Sequence, residues 1–318
     1  MTCQAHCGKK VLLFLQGIGP GPLPHAAAFV LLAIIAASPA RAQITTNTAL
    51  PVSAGEGIIR VQSKLIRSTG DPSEMDRELR VLAFPLVGVY GVTPKLTLFG
   101  VLPILDKNLE VTTPQGRRVT RKTSGLADAR LFARYTVYQF NRRGQTARLA
   151  PFAGVELPTG TNDATDGLGL LPPPLQLGSG SWDPFAGVVF TRQTFAWQID
   201  VSASYKFSTE ADDFQFGDEA RLDVATKVRL LPRRLSSGLP SFLYGNLETN
   251  VIWQDQNEMG GAVDVNSGGT TWYIAPGIQY VTRRIILEAA VQVPVVQDLN
   301  GSALENNFII TLSSRFSI

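Results

Sequence analysis

The side chains that most often carry catalysis are missing from almost all of this chain. Both cysteines, Cys3 and Cys7, and both histidines, His6 and His25, lie within the first 25 residues. The rest of the sequence therefore cannot supply a Ser-His or Cys-His nucleophile, or a zinc site built from His and Cys. The chemistry left to it is that of carboxylates, hydroxyls, amides and basic side chains.

Paired carboxylates are the catalytic arrangement that remains, with Asp200 or Glu156 opposite Glu248 as candidates. Two acid-rich stretches, Asp163–Asp166 and Glu210–Asp213, contain the oxygen ligands that Ca²⁺ prefers, although solvated loops are the simpler interpretation. The sequence contains no phosphate-binding loop. We therefore predict a protein that is not an enzyme and has no metal or cofactor.

The charged residues lie instead on one side of long segments in which polarity alternates. From Phe195 to Phe207 every odd position is apolar, whereas the even positions are mostly polar. Successive side chains of a strand point to opposite faces, so this segment predicts a strand with one complete apolar face. Its length fits the ~9–11 residues of a tilted transmembrane strand better than the ~5–6 residues of an ordinary strand.

Similar alternation predicts twelve strands, and hence an all-β, antiparallel, up-and-down transmembrane β-barrel over residues 43–318. The strands centre on residues 57–67, 79–90, 95–103, 125–138, 147–158, 181–191, 194–207, 218–230, 241–253, 270–281, 284–295 and 306–318. Short turns, including Arg192-Gln193, largely alternate with long polar connections such as Asp106–Ser124, Thr159–Gly180 and Gln254–Gly269. Barrels of the outer membrane alternate short periplasmic turns with long external loops in this way.

The polar faces of these strands supply a set of charged residues that we predict to line the barrel interior. They are Asp128, Arg130, Arg134, Glu156, Asp200, Glu219, Arg221, Lys227, Glu248 and Glu288. Both signs of charge occur, which argues against a single-sign ion filter. The predicted constriction consists of six mid-strand residues: Asp128, Arg130, Arg134, Glu219, Arg221 and Lys227. Two arrangements stay open: ion pairs that nearly close the interior, or a narrow polar channel.

The first 42 residues have the organisation of a signal peptide. Ala26–Ala37 is an apolar run that is too short to span a bilayer but fits a signal-peptide core. The small residues Ala40 and Ala42 then predict cleavage after Ala42. Outside this leader 26 basic residues balance 26 acidic ones, so the remainder has no net charge with which to grip nucleic acid.

The strand ends carry further signs of a membrane protein. Trp197 falls near one predicted rim and Trp253 near the other, as expected of aromatic girdles at the two interfaces. The last segment, Phe308–Ile318, has a mostly apolar face that includes Phe316, and it resembles the C-terminal signal of outer-membrane barrels. The predicted partners are therefore outer-membrane lipid, the barrel-assembly machinery and a small-molecule solute.

Two motifs on neighbouring strands point to a family. Gly125-Leu126-Ala127-Asp128 opens one long strand, and Glu156-Leu157-Pro158-Thr159-Gly160 ends the next. With these motifs the chain resembles the transporter family named for the MetA pathway of phenol degradation, although Ala127 replaces that family's second Gly. The resemblance implies a barrel of the bacterial outer membrane that imports small, often aromatic or hydrophobic compounds. It supplies no established binding residues.

Taken together, these patterns predict a monomeric, passive outer-membrane channel for small solutes. The alternative is a structural or adhesive outer-membrane barrel whose interior is closed by ion pairs. A third interpretation, a secreted β-sandwich, would bury Trp197, Ile199 and Val201 between two stacked sheets.

Overall fold

The computed structural model describes residues 44–234 and 241–318. Twelve long strands form in these ranges because each alternating segment can pair its backbone on both sides while keeping its apolar face outwards. The strands are β1 (Gly57–Ser68), β2 (Glu78–Gly91), β3 (Leu96–Thr112), β4 (three consecutive segments, Arg118–Leu126, Ala129–Tyr135 and Tyr138–Arg142), β5 (Gln145–Leu157), β6 (Asp183–Thr194), β7 (Trp197–Lys206), β8 (Glu219–Leu231), β9 (Phe242–Gln254), β10 (Gly269–Val281), β11 (Ile285–Leu299) and β12 (Phe308–Ser317).

The strands close into a barrel. Each pairs antiparallel with its neighbours in sequence, and β12 pairs with β1. The closing register runs from Ile58 opposite Ser317 to Arg67 opposite Phe308. The predicted all-β, twelve-stranded antiparallel barrel is therefore confirmed, and closure removes the free edges that an open sheet would expose.

The two faces of the barrel wall differ sharply in polarity. On β9, Leu247 is 55% exposed on the outer surface, whereas its neighbours Asn246 and Glu248 are 6% and 1% exposed and face inwards. Trp197 also lies on the outer surface rather than between stacked sheets. A wall with an apolar outside and a polar inside suits lipid, so the β-sandwich interpretation is wrong.

The predicted external loop Asp106–Ser124 is instead an extended hairpin. β3 continues to Thr112, and the first segment of β4 pairs with it from Arg118 onwards. Beyond Ile104 the outward positions of β3 are polar, namely Asp106, Asn108 and Glu110. The backbone pairing continues where the hydrophobic alternation stops, which is why the sequence pattern ended the strand too early.

The connections define two ends of the barrel. The short-turn end comprises residues 92–95, 143–144, 195–196 and 282–284, and the start of β1 and the end of β12 meet there. The long-loop end comprises residues 69–77, 113–117, 158–182, 207–218, 255–268 and 300–307. The predicted turn at Arg192-Gln193 is wrong by three residues, since β6 runs to Thr194, whose hydroxyl accepts hydrogen bonds from the backbone of the turn that follows.

Short secondary elements decorate the long loops. Two-residue strands lie at Thr165–Asp166, Gly169–Leu170, Phe214–Gln215, Glu258–Met259 and Ala262–Val263, and a 3-10 turn spans Pro173–Leu175.

In the two ranges that the structure describes, no helix has the length and apolar character needed to cross a membrane. The predicted signal peptide and its cleavage site after Ala42 lie outside the described residues. Residues 44–56, within the predicted barrel range, precede its first strand.

Candidate functional site

The inner wall is polar along β7 to β12 and β1. Its buried polar side chains include Gln198, Asp200, Ser202, Asp223, Lys227, Asn246, Glu248, Asn250, Gln279, Glu288, Gln292, Thr311, Ser313 and Arg315. Such groups are stable in an interior only when they are hydrogen-bonded or paired. The wall therefore has to carry a network rather than isolated charges.

Glu288 is the centre of one such network. Its carboxylate pairs with Arg315 at 2.7 Å and with Arg60 at 3.4 Å, and it accepts a hydrogen bond from the Gln279 amide at 2.6 Å. Because these residues come from β1, β10, β11 and β12, the network connects four strands across the point of closure. A carboxylate shared by two guanidinium groups is well compensated for its burial.

The opposite wall, formed by β2 to β6, is largely apolar on the inside. The rings of Phe99 and Phe132 stack with centroids 4.3 Å apart and an interplanar angle of 4°. Phe185 meets Phe132 edge-on at 5.7 Å, and Phe152 packs against it at 6.1 Å. Gly154 lies directly opposite Phe132, and a Cβ at that position would collide with the backbone oxygen of Leu131 and with the Cβ of Phe132. The glycine thus makes room for the aromatic cluster.

Residues 44–52, which precede β1 and are called the N-terminal segment below, fold into the barrel and cross this lumen. Its anchor is Glu248, whose carboxylate accepts the backbone N–H groups of Ile44, Thr45 and Thr46 at 2.9, 2.9 and 3.0 Å. The hydroxyl of Thr45 adds a fourth hydrogen bond at 2.5 Å. Consecutive N–H groups converging on one carboxylate form an anion-binding nest. A carboxylate of the wall is therefore bound by the chain's own N-terminal segment.

Two further wall residues hold the same segment. The Thr191 hydroxyl accepts the Ala49 N–H at 2.7 Å and in turn donates to Asp200. Arg134 donates to the carbonyl oxygens of Thr48 and Leu50, the latter at 2.8 Å. The segment is thus fixed to β4, β6 and β9 at once, and it fills part of the lumen.

A cavity of about 610 Å³ remains between this segment and the apolar wall. Its apolar lining includes Val87, Val89, Phe99, Val101 and Phe132. Among the described residues that line it, the charged ones are Arg60, Arg134, Arg148 and Arg315, and none is acidic. The space is therefore lined both by aromatic and aliphatic surface and by guanidinium groups, and Arg134 and Arg148 come from the same wall as the phenylalanines.

The predicted interior residues fall into several groups rather than one. Glu248 and Arg134 touch the N-terminal segment directly, Asp200 reaches it through Thr191, and Glu288 reaches it through Arg60. Lys227 is 1% exposed, and its ammonium lies near Gln279 and the Tyr244 ring.

The six residues of the predicted constriction do not form one ring. Asp128 lies between two segments of β4, where it accepts hydrogen bonds from the backbone of Gly160 and Ser179 and anchors the loop after β5. Arg130 pairs with Glu156, and Arg221 pairs with Asp223 at 2.9 Å. Glu219 begins β8 at the long-loop end, whereas Arg134 lies towards the short-turn end. Mid-strand position in sequence therefore did not place these side chains at one height.

Sequence reasoning missed the N-terminal segment, the stacked phenylalanines and Arg148. One signal was available, because Phe132 interrupts the otherwise charged face that carries Arg130 and Arg134. An aromatic residue on the inner face of a strand indicates apolar surface inside the barrel. No comparable signal marks residues 44–52, which have no alternation of their own.

Ion pairs order the loops at the long-loop end. Arg77 donates hydrogen bonds to both carboxylate oxygens of Asp71, from Nε to Oδ2 at 2.8 Å and from Nη2 to Oδ1 at 2.6 Å. Burial raises the pKa of Asp71, but hydrogen bonds from Arg77 and Ser73 outweigh it and hold that pKa well below its usual range. Arg121 similarly pairs with Asp166, and its hydrogen bonds lower the Asp166 pKa. Within the described ranges, no group of three or more His, Cys, Asp or Glu side chains is placed to hold a metal ion.

The barrel is similar in fold to solved outer-membrane proteins. It matches the COG4313 outer membrane channel from Pseudomonas putida F1 with a TM-score of 0.66 and 15% identity, over 87% of this chain and 100% of that chain. The β domain of the Bordetella autotransporter BrkA (TM-score 0.42, 12% identity, 84% of this chain and 100% of that chain) is a weaker match. The same holds for the CymD monoaromatic hydrocarbon channel (TM-score 0.41, 9% identity, 84% and 89%).

The sequence itself gives the assignment. No curated protein matches it significantly. The family described as "Putative MetA-pathway of phenol degradation" matches residues 85–294, which reach from β2 into β11. This range covers well over half of the chain and contains both motifs on which the resemblance rested. The chain belongs to this family of phenol-degradation MetA-pathway proteins.

Proposed function

We propose that this protein is a passive outer-membrane channel for small solutes, aromatic and hydrophobic compounds among them. The observation that carries the proposal is the cavity of about 610 Å³ inside the barrel, which has apolar and cationic walls. A volume of this order accommodates a small organic molecule, since ligand pockets typically measure ~300–1,000 Å³. A solute moving down its gradient through such a space needs no cofactor.

The carboxylates of the lumen support a role in structure and passage rather than in catalysis. Glu156 is engaged by Arg130, and Glu248 by the N-terminal segment. A general acid or base needs access to a reacting proton, which these engaged groups do not offer. We therefore assign no reaction to the lumen.

The proposal includes a location and an orientation. The exposed apolar belt suits outer-membrane lipid, and we place the short-turn end in the periplasm, following the usual arrangement of such barrels. We further propose export by a signal peptide that is cleaved after Ala42, and assembly through recognition of β12 by the barrel-assembly machinery. The apolar outward face of β12, with Leu312 54% exposed, supports this role.

A structural or adhesive barrel without transport is the second candidate. The shared pairing of Glu288 with Arg315 and Arg60, together with the N-terminal segment in the lumen, favours it. Both features narrow the interior. The two candidates differ in whether solutes cross the folded protein.

Proteoliposome swelling tests the proposal. Full-length, heat-modifiable protein is reconstituted, and swelling is measured with neutral solutes of increasing size, such as glycerol, arabinose and sucrose. Swelling above that of empty liposomes, falling with solute size, is the expected result. Folded protein that gives no swelling with any solute would contradict the channel and favour the structural barrel. Uptake of small aromatics by cells with and without the gene then tests the solute class.

A further inference from the structure

The lumenal cavity has an unusual combination of walls for a simple pore. Phe99 and Phe132 present stacked rings to it, with Val87, Val89 and Val101 beside them. Four arginines also line it, Arg134 and Arg148 from the same wall as the phenylalanines and Arg60 and Arg315 from β1 and β12, and none of the described residues that line it is a carboxylate. An apolar molecule alone would leave the guanidinium groups without a partner, and a hydrated inorganic anion would leave the apolar lining in contact with water.

Two of the four arginines form ion pairs with a described residue, and the other two form none. Arg60 and Arg315 both pair with Glu288, which lies outside the cavity lining. Arg134 and Arg148 form no ion pair with any residue in the described ranges 44–234 and 241–318. Two guanidinium groups next to the cavity therefore have no carboxylate of the described residues within salt-bridge distance.

Arg134 and Arg148 differ in how fully their N–H groups are hydrogen-bonded. Arg134 donates to Asn47 at 3.0 Å and to carbonyl oxygens of the N-terminal segment, and its guanidinium lies 4.7 Å from the centre of the Phe99 ring. Arg148 uses Nη1 for Asn141, Thr146 and its neighbour's carbonyl, whereas its buried Nε finds no acceptor among the residues that the structure describes. A buried donor on a charged group without an acceptor is unfavourable, and an anion in the cavity would relieve it.

We propose that this cavity binds a small aromatic carboxylate with a single ring. The ring lies against Phe99 and Phe132, and the carboxylate is held by the guanidinium groups of Arg148 and Arg134. Guanidinium suits this role because its fixed N–H groups match both oxygens of a carboxylate. The inference rests on the proposed passage of solutes through the lumen, and it names the chemical class that the lumen selects.

Binding of benzoate to the full-length protein in detergent tests the site, with titration calorimetry as the readout. Benzyl alcohol has the same ring without the charge, and acetate has the charge without the ring. Because each loses one of the two interactions, benzoate is expected to bind about tenfold or more tightly than either, which corresponds to ~1.4 kcal/mol. Benzoate that binds no more tightly than benzyl alcohol would overturn the proposal.

Three variants locate the site. Arg148→Gln is expected to weaken benzoate binding about tenfold and to remove its preference over benzyl alcohol, whereas Arg148→Lys retains part of that preference because it keeps the charge. Phe132→Leu is expected to reduce the preference for benzoate over acetate. Arg67→Gln is the matched control, since Arg67 lies at the end of β1 next to the long loops with a 54% exposed side chain and does not line the cavity. Benzoate affinity that is unchanged in folded Arg148→Gln protein would refute the assignment.

Swelling of liposomes in arabinose, measured on the same preparations, separates this inference from the proposed function. Arabinose permeation without a preference for benzoate would remove the binding site and leave the channel. Benzoate binding at Arg148 without permeation of any solute would leave the site and remove the channel.

Discussion

Replacing Glu248 by Gln is the most direct perturbation of the segment of residues 44–52 that lies in the lumen. The carboxylate of Glu248 receives four hydrogen bonds from Ile44, Thr45 and Thr46, three of them on one oxygen. An amide of the same shape has one accepting oxygen and would point N–H donors at a remaining donor of the segment. The substitution therefore preserves volume while it removes at least one charge-assisted hydrogen bond and weakens the others.

The magnitude follows from these contacts. Hydrogen bonds to charged groups contribute about 1.5–3 kcal/mol each, and neutral ones roughly half as much. Losing one and halving three gives a loss of roughly 4–7 kcal/mol in the attachment of residues 44–52. Since every 1.4 kcal/mol is a factor of ten, the released fraction of the segment is expected to rise by about 10³–10⁵.

Hydrogen exchange and single-channel recording measure this release. In Glu248→Gln protein, peptides covering residues 44–52 are expected to exchange at least about a hundredfold faster, and the conductance to rise, because the segment leaves the lumen. Glu156→Gln is the matched control, since Glu156 is another buried lumenal carboxylate, and its partners, Arg130 and Lys206, are not in the segment. Unchanged exchange together with unchanged conductance in folded Glu248→Gln barrels would refute the reasoning.

Three further results are expected. The folded-state pKa of Asp71 is depressed, so its pairing with Arg77 stabilises the loop at any pH above the unfolded pKa of ~3.9. This stabilisation is lost only as the pH falls through the lower folded-state pKa. Hydrogen exchange of residues 69–77 that already accelerates between pH 6 and 5 would contradict this. Gly154→Ala should destabilise the barrel by about 1–3 kcal/mol or more, because the added Cβ collides with the backbone oxygen of Leu131 and with the Cα and Cβ of Phe132 on the neighbouring strand. Gly88→Ala, where the new Cβ meets nothing within 4 Å, should not, and equal thermal shifts of the two variants on heat-modifiability gels would count against the cluster. Leu247→Arg, on the lipid-facing side of β9, should cost about 2–4 kcal/mol of folding free energy in bilayers, and a neutral effect on urea-dependent folding into vesicles would challenge the membrane assignment.

Most strands could be predicted because the surroundings of a membrane barrel impose a strict rule. Outward side chains meet lipid, and the inward ones of β7 lie in the polar part of the inner wall, so a period of two appears in the sequence of β7 and persists through its whole length. The alternation is lost where the strand no longer faces lipid. At the long-loop end of β3 the outward side chains are polar, so the sequence pattern did not reveal that the strand continues to Thr112.

The positions of the candidate site residues were harder to predict. The same alternation that selected Glu248 and Arg134 for the interior says nothing of how far along the barrel axis each side chain lies. That height depends on the register between strands, which the pairing of Arg134 with Thr97 and of Glu219 with Gln254 fixes. The predicted constriction therefore separates into pairs and anchors at different heights.

The sequence by itself determined that this chain forms twelve long strands with an apolar face towards lipid, and it identified the family through two short motifs. Only the tertiary structure decided what fills the barrel. The hydrogen bond from Ile44 to Glu248 joins residues 204 positions apart, and no local pattern encodes such a contact. Closing the sheet brings opposite walls within reach of each other, and that closure creates both the bound N-terminal segment and the cavity between arginine and phenylalanine side chains.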